Sequence, residues 1–191
     1  MRVIAGSAGG VRLAVPKRGV RPTMDRVKAA IFSSLGDAII GAQVLDLFAG
    51  SGALGIEALS RGAASATFVE GARQSAEAIK RNLGKTKLKG RVRLQDVFDF
   101  LRHPSNTGKF EIIFADPPYE KTQARIHTQA LLTNESLPEL LKPNGIFVLE
   151  KRPAEPILEL KVWSVIRQKT YGATEILFLT RSDNRQLAIC S

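Results

Sequence analysis

The sequence predicts an α/β protein built on a doubly wound, mostly parallel sheet. Two observations carry that reading. From Val44 onward, short apolar runs alternate with segments whose apolar residues recur at helical spacing. Four of those runs carry a carboxylate at or just beyond their ends: Asp46, Glu70, Asp96 and Asp116. Repetition of strand and helix implies a parallel sheet covered on both faces and joined by right-handed crossovers. Ligands of such sheets sit at the carboxyl ends of the strands. One strand-end Asp is usually a turn or helix cap. Four of them delivered to one edge point to a ligand.

The elements follow in order. Residues 1–22 read as short extended pieces around glycines, a β-hairpin arm of Val3-Ile4-Ala5 and Val11 to Val15. Thr23 is placed as an N-cap, with Val27, Ala30, Ile31 and Leu35 at helical spacing and Gly36 as the stop. Val44 to Phe48 is the first strand, and a helix runs from about Ala53 to Arg61, closed by Gly62. Ala66 to Val69 is the second strand. Ala72, Ala76, Ile79 and Leu83 mark the next helix, and Val92 to Leu94 the third strand. Phe110 to Ala115 is the fourth. Ser136-Leu137-Pro138-Glu139 has the capping-box form and opens a short helix through Leu141. Ile146 to Leu149 is the fifth strand, and Val162 to Lys169 with Ile176 to Leu179 form a closing antiparallel pair. The 191 residues suit one domain, divided into a basic N-terminal extension (1–36) and the sheet proper (37–191).

Composition narrows the function. A net charge of +10 favours a polyanionic partner. Cys190 is the lone cysteine, which excludes an intrachain disulfide and fits a reducing compartment. His103 and His127 are far apart in sequence, so no metal-ligand spacing exists and no metal is expected. Neither an apolar leader core nor an 18-residue apolar run is present, and a cytoplasmic protein is expected.

The glycine turn selects the ligand class. Gly50-Ser51-Gly52-Ala53-Leu54-Gly55 fits G-x-G-x-x-G, a weak signal by itself. A dinucleotide brings a pyrophosphate, which wants backbone N–H groups and no nearby anion. Asp46 lies four residues before Gly50, at the mouth of the turn. A carboxylate there opposes a pyrophosphate but attracts the ammonium or sulfonium of S-adenosylmethionine (AdoMet). Phe48, Ala49, Gly50, Ser51 and Gly52 then supply the close backbone approach. Glu70 is placed on the ribose hydroxyls and Asp96 on the adenine amino group, with the Val97 N–H on a ring nitrogen. A nicotinamide cofactor is the alternative, and it requires a pyrophosphate that tolerates Asp46.

Asp116-Pro117-Pro118-Tyr119 directly follows the fourth strand. Two prolines can simply stop a strand. They also fit a specific chemistry. The lone pair of a base's amino nitrogen is delocalised into the ring, so the group is a poor nucleophile. Asp116 and the carbonyl of Pro117 can accept its two hydrogens, and Tyr119 offers a ring on which a flipped base stacks. Positioning and electrostatics supply the rate. The chemistry alone permits guanine N2, adenine N6 or cytosine N4.

Arg21-Pro22-Thr23, Leu45 to Gly55, Glu57 to Ala63, Asp116-Pro117-Pro118-Tyr119 and Tyr171-Gly172 together resemble the RsmD family of bacterial ribosomal RNA methyltransferases. The resemblance covers essentially the whole chain. It implies a Rossmann-like class I AdoMet-dependent fold, seven-stranded, with an N-terminal hairpin and helix extension. It further implies methylation of N2 of guanine 966 in 16S ribosomal RNA, on an assembled or assembling small subunit. A monomer is expected. A DNA adenine methyltransferase and a non-catalytic RNA-binding factor are the competing readings; the first needs a target-recognition region for which this chain has little room.

Basic residues cluster twice. Residues 1–36 carry seven against Asp25 alone, a net +6, and residues 73–93 carry eight against Glu77 alone, a net +7. Arg12, Lys17, Arg18, Arg21 and Arg26 of the first cluster are the expected phosphate contacts, with Thr23 and Pro118 beside the target nucleotide. The second cluster reads by default as a solvated charge run, with a contact to the ribosome remote from the active site as the alternative.

Overall fold

The computed structural model describes residues 1–15, 25–103, 109–118, 121–153, 156–157 and 160–182, with backbone alone for 121–125. In chain order the elements are α1 (Asp25–Leu35), a 3-10 turn (Gly36–Ile39), β1 (Gln43–Leu47), α2 (Ala53–Ser60), β2 (Ser65–Glu70), α3 (Arg73–Thr86) and β3 (Arg91–Leu94). α4 (Val97–Arg102), β4 (Phe110–Ala115), α5 (Lys121–Leu132), α6 (Ser136–Glu139), β5 (Leu141–Lys151), β6 (Trp163–Tyr171) and β7 (Thr174–Arg181) complete the fold.

The strands form one seven-stranded sheet in the order β3-β2-β1-β4-β5-β7-β6. β1 pairs in parallel with β2 and β4, and the parallel set extends to β3 and β5. β7 runs antiparallel to both β5 and β6. The expected sheet is therefore present. The final pair is sharper than predicted, because β7 inserts between β5 and β6 and is the one reversed strand.

Strand alternation divides the core. On β1, Val44 faces one layer, with Phe68 of β2, Phe114 of β4, and Ile31, Ile56 and Ile79 from α1, α2 and α3. Leu45 and Leu47 face the other, with Val69, Ile113, and Leu101 and Leu132 from α4 and α5. The two-residue period puts Asp46 on the same side as Val44, under α2.

The N-terminal arm folds back on itself as a short antiparallel loop: Arg2 bridges Arg12, and the N–H groups of Val3, Gly10 and Leu13 donate to the carbonyls of Val11 (2.9 Å), Val3 (2.8 Å) and Met1 (3.2 Å). The pairing goes no further, because other backbone groups of the arm are spent on α2. The N–H groups of Ile4 and Ala5 donate to Glu57 at 2.7 and 3.1 Å, and that of Ala8 donates to Ser60 Oγ at 2.9 Å. Val3, Ala8 and Leu13 enter the α1–α3 core layer. The Glu57 carboxylate is fully buried, 3.0 Å from Lys28 Nζ of α1 and 2.8 Å from Arg61 Nε. Lys28 also donates to the Arg2 carbonyl, and Arg61 lies over the Phe32 ring.

Three local readings change. Ser136 does not cap α6; the Leu137 N–H donates to Asn134 Oδ1 at 2.8 Å, so the cap lies two residues earlier and no capping box forms. α4 and α5 were absent from the predicted elements. α4 is short and α5 is largely polar, so neither carries a long apolar period. β5 begins at Leu141, five residues before the predicted start. Asn144 takes a positive φ of 62°, and the β4–β5 register shifts between Phe110 and Ile112, which lets the strand absorb a Pro-Asn-Gly sequence that reads as a turn. Among the described residues no helix is long and apolar enough to cross a membrane.

Glu57→Gln leaves Lys28 buried without its counter-charge and removes the charged acceptor of two arm N–H groups. The expected cost is about 3–5 kcal/mol, read as a lowered urea midpoint. A midpoint unchanged from wild type would remove the clamp from this account.

Candidate active site

The strand order reverses direction about β1. β2 and β3 lie to one side, β4 and β5 to the other. A crevice therefore opens between the carboxyl ends of β1 and β4, where the connections depart in opposite directions. β1 brings the glycine turn to it and β4 brings Asp116.

The turn is built on carboxylates. Asp46 is 2% exposed. It therefore lies beneath the turn, deeper than the mouth position expected of it. The Gly55 N–H donates to its Oδ2 at 2.9 Å. Gly55 can be nothing larger, because a Cβ there would stand 2.4 Å from Phe68 Cε1 and 3.1 Å from that same carboxylate oxygen. The third glycine of the motif thus seats α2 on the sheet. Glu70 ties the end of β2 to the turn: its Oε2 accepts the Gly50 N–H at 2.8 Å and its Oε1 the Ala72 N–H at 2.7 Å.

Phe48 takes a positive φ of 54°, a conformation a non-glycine residue rarely adopts. Gly50 and Gly52 are also left-handed, and Gly52 opens α2. The Ala49 N–H donates to the Val69 carbonyl at 3.2 Å, holding the turn to β2. Ser51 is buried, and its carbonyl accepts from Asn82 Nδ2 at 2.9 Å.

Electrostatics follow from this burial. Loss of solvent pushes the Asp46 carboxyl up to about 8, against the pull of the Gly55 N–H, and the nearby Glu70 carboxylate adds to the rise. A buried carboxyl with a second, half-buried carboxylate beside it favours a cation and opposes a pyrophosphate. The donor set therefore fits AdoMet: backbone and α2 N-terminus for its carboxylate, acidic side chains for its positive groups and hydroxyls.

The remaining predicted residues divide. Asp96 is exposed and caps α4, its Oδ1 accepting from the N–H groups of Phe98 (2.8 Å) and Asp99 (3.1 Å). Val97, the first residue of α4, is buried. Asp116 is half-buried, Pro117 buried and Pro118 exposed. Arg12, on the arm's bridge, and Arg26, on α1, are exposed. Lys17, Arg18, Arg21, Thr23 and Tyr119 lie outside the described residues.

Sequence reasoning missed Asn82 and His127. Asn82, buried on α3, accepts the Ala14 N–H at 2.8 Å and donates to the Ala14 carbonyl at 2.9 Å while holding Ser51. One side chain thus brings the end of the arm beside the glycine turn. Nothing in the sequence separates this Asn from a polar residue on a solvated helix face. His127 stacks on Phe48, ring centroids 5.4 Å apart, and meets Phe98 at 5.5 Å. Its ring joins α5, which follows the Asp116 segment, to the glycine turn.

Comparison with known proteins agrees with this geometry. A family profile described as "Conserved hypothetical protein 95" matches residues 1–180. "Ribosomal RNA small subunit methyltransferase D" of Haemophilus influenzae is 38% identical over 176 residues, covering 90% of this chain and 89% of that protein. Among solved structures, the "putative methyltransferase yhhF" of Escherichia coli superposes with a TM-score of 0.76 at 36% identity, covering 95% of this chain and 97% of that one. The T. thermophilus 16S rRNA N2 G1207 methyltransferase RsmC, solved with AdoMet and guanosine, gives a TM-score of 0.65 at 26% identity, over 86% of this chain and 44% of that one. With the family profile matched over residues 1–180 and the Haemophilus influenzae protein similar along nearly its whole length, the chain belongs to the RsmD family of ribosomal RNA small subunit methyltransferases.

Proposed function

We propose that this protein transfers a methyl group from AdoMet to the N2 amino group of one guanine of 16S ribosomal RNA, guanine 966 by the family resemblance, on the small subunit or its assembly intermediate. The observation that carries this reading is the placement of Asp116, at the end of β4, across the switch crevice from the glycine turn of β1. The RsmC structure with AdoMet and guanosine supports the same pairing of cofactor and base.

When bound, AdoMet supplies an electrophilic methyl on a sulfonium. The backbone of Phe48 to Gly52 and the start of α2 would hold its methionine end, Glu70 the ribose hydroxyls, and Asp96 with the Val97 N–H the adenine. Asp116 and the Pro117 carbonyl accept the two hydrogens of the guanine amino group. That draws its lone pair out of the ring and aims it along the line of transfer. Pro118 and Tyr119 give the flipped base a flat surface. The methylated nitrogen carries one proton too many, and the Asp116 carboxylate would take it. Arg12, Lys17, Arg18, Arg21, Thr23 and Arg26 of the extension grip the flanking RNA. The described part of the arm supports this reading, because Ala14 is held beside the glycine turn by Asn82. The enzyme acts as a monomer.

Labelled AdoMet offered to undermethylated 30S subunits and to DNA side by side tests the reading, with nucleoside mass spectrometry of the RNA product. N2-methylguanosine in 16S RNA is expected; label entering DNA alone would overturn it. Asp116→Ala is expected to lower kcat by about 10³-fold or more while cofactor affinity, read by calorimetry, changes little. Retention of wild-type kcat would remove Asp116 from the mechanism.

The raised Asp46 carboxyl gives a pH signature with a definite sign. Between its ordinary value and about 8 the unliganded fold holds a proton that the unfolded chain has lost, so stability falls as pH rises through that window. A cationic ligand favours the carboxylate and expels the proton. Cofactor binding is therefore expected to release protons below pH 8 and to tighten as pH rises towards 8. Calorimetry in two buffers of different ionisation enthalpy measures this, and Asp46→Asn should abolish the release. Affinity independent of pH in the wild type would contradict the arrangement.

A further inference from the structure

The free edge of the sheet carries the larger of the two basic clusters, and none of the reaction chemistry uses it. β3 is the terminal strand. Lys80, Arg81 and Lys85 are exposed on α3, and Lys87 and Lys89 are exposed in the connection that follows. Arg91 and Arg93 are exposed on β3 itself, two residues apart and so on one face of the strand. Val92 between them packs toward the α3 layer, which turns the two arginines to the opposite face. The cations therefore wrap around the edge from the α3 side, past the amino end of β3, to the other face. An open groove of about 470 Å³, lined in part by Lys89, Gly90 and Arg91, makes the turn concave.

Among the described residues none of these seven cations is paired with a carboxylate. The ion pair of this segment is Arg73 with Glu77, at the start of α3. A charged edge strand is a known protection against strand-to-strand association. That accounts for Arg91 and Arg93 but not for the four lysines and one arginine on the helix and connection. Unneutralised like charges at this density repel one another and gain from a polyanion that spans them. A membrane surface fits poorly, because Leu94, at 55% exposure, is the large apolar side chain exposed beside the strip and an interfacial anchor needs an apolar face.

We infer that this edge is a second RNA-binding surface, which grips the phosphate backbone of folded ribosomal RNA away from the target base. The inference rests on the RNA-substrate reading above. Its geometry sets a size for the partner. β3 is three strands from β4, about 14 Å at ordinary strand spacing, and Lys80 to Lys85 extend the strip about 8 Å along the axis of α3. An RNA engaged at Asp116 and at the edge must therefore be structured over more than a single flipped nucleotide. The solvated charge run of the sequence thus becomes a device for recognising shape rather than sequence.

The test compares two charge reversals of equal size, Arg91→Glu with Arg93→Glu and, on the opposite edge strand β6, Arg167→Glu with Lys169→Glu. A triple variant of Lys80, Arg81 and Lys85 to Glu is added. Binding to a folded 16S RNA fragment is titrated across KCl concentrations, and S-adenosylhomocysteine binding checks that each variant is folded. The β3 double and α3 triple variants are expected to weaken RNA binding by about tenfold or more and to flatten the salt dependence by about one unit of slope per lost phosphate contact. The β6 control should match wild type. Wild-type affinity and slope in the β3 and α3 variants would overturn the inference, as would equal weakening by the control. So would loss of binding to phosphatidylserine vesicles in those variants with RNA binding kept, which assigns the edge to a membrane. Wild type that neither binds nor methylates RNA would sink the functional reading as well, so the two failures are distinguishable.

Discussion

Glu57 occupies a position in which an unpartnered carboxylate could not survive: the middle of a helix, with no solvent access. A buried charge is tolerated only when paired and hydrogen-bonded. Its two oxygens are satisfied by Lys28 from α1, Arg61 one turn further along α2, and the backbone N–H groups of Ile4 and Ala5. These partners come from three stretches of chain: the arm, α1 and the end of α2. The need to neutralise one carboxylate therefore fixes α1 against α2, and fixes the first residues of the chain against both. The basic extension is a part of the fold for this reason, and its apolar residues complete the core layer on that face of the sheet.

The same helix carries the other buried acid contact. Asp46 sits below the first turn of α2 and receives the Gly55 N–H, while Glu70 receives that of Gly50. Both ends of the glycine turn are thus held by carboxylates from neighbouring parallel strands, on the side of the sheet where the strands deliver their carboxyl ends. The unliganded turn therefore keeps a proton on Asp46 beside the Glu70 carboxylate, beneath a rim of backbone N–H groups, and a bound cation would draw that proton off. A cationic sulfonium compound with its own carboxylate suits that combination; a pyrophosphate does not. Selection between two cofactor classes that share one glycine pattern comes down to this charge.

Positive charge is kept elsewhere. It lies on the extension, which Asn82 brings beside the cofactor turn, and on the β3 edge, which the sheet order places at the far flank. A basic outer surface can attract a polyanion towards the crevice. The β3 cluster is kept apart from the cofactor turn by topology, which makes β3 the terminal strand at the flank of the sheet.

The sequence determined the sheet, its doubly wound character, the glycine turn and the identity of the carboxylates at its edge. These depend on local apolar periods and on where strands stop, which short stretches of chain encode. Asp46, Glu70 and Asp116 were legible because strand ends in such folds meet at one edge. What the sequence left open were features made by residues far apart. Glu57 and Asn82 read as ordinary polar helix positions, since nothing local tells that the N-terminal arm covers them. The arm reads as a hairpin and does fold back on itself, but nothing local tells that its Ile4, Ala5 and Ala8 N–H groups are taken by α2. α5 lacks an apolar period strong enough to stand out, and is held by tertiary contacts such as His127 on Phe48. Asp96 illustrates both levels: its place after the third strand was readable, but its hydrogen bonds to Phe98 and Asp99 depend on a short helix forming there. Local patterning can specify which residues arrive at an edge. Only packing of distant segments decides which buried charges are satisfied, and so how the arm, the turn and the charged surfaces are held in relation to one another.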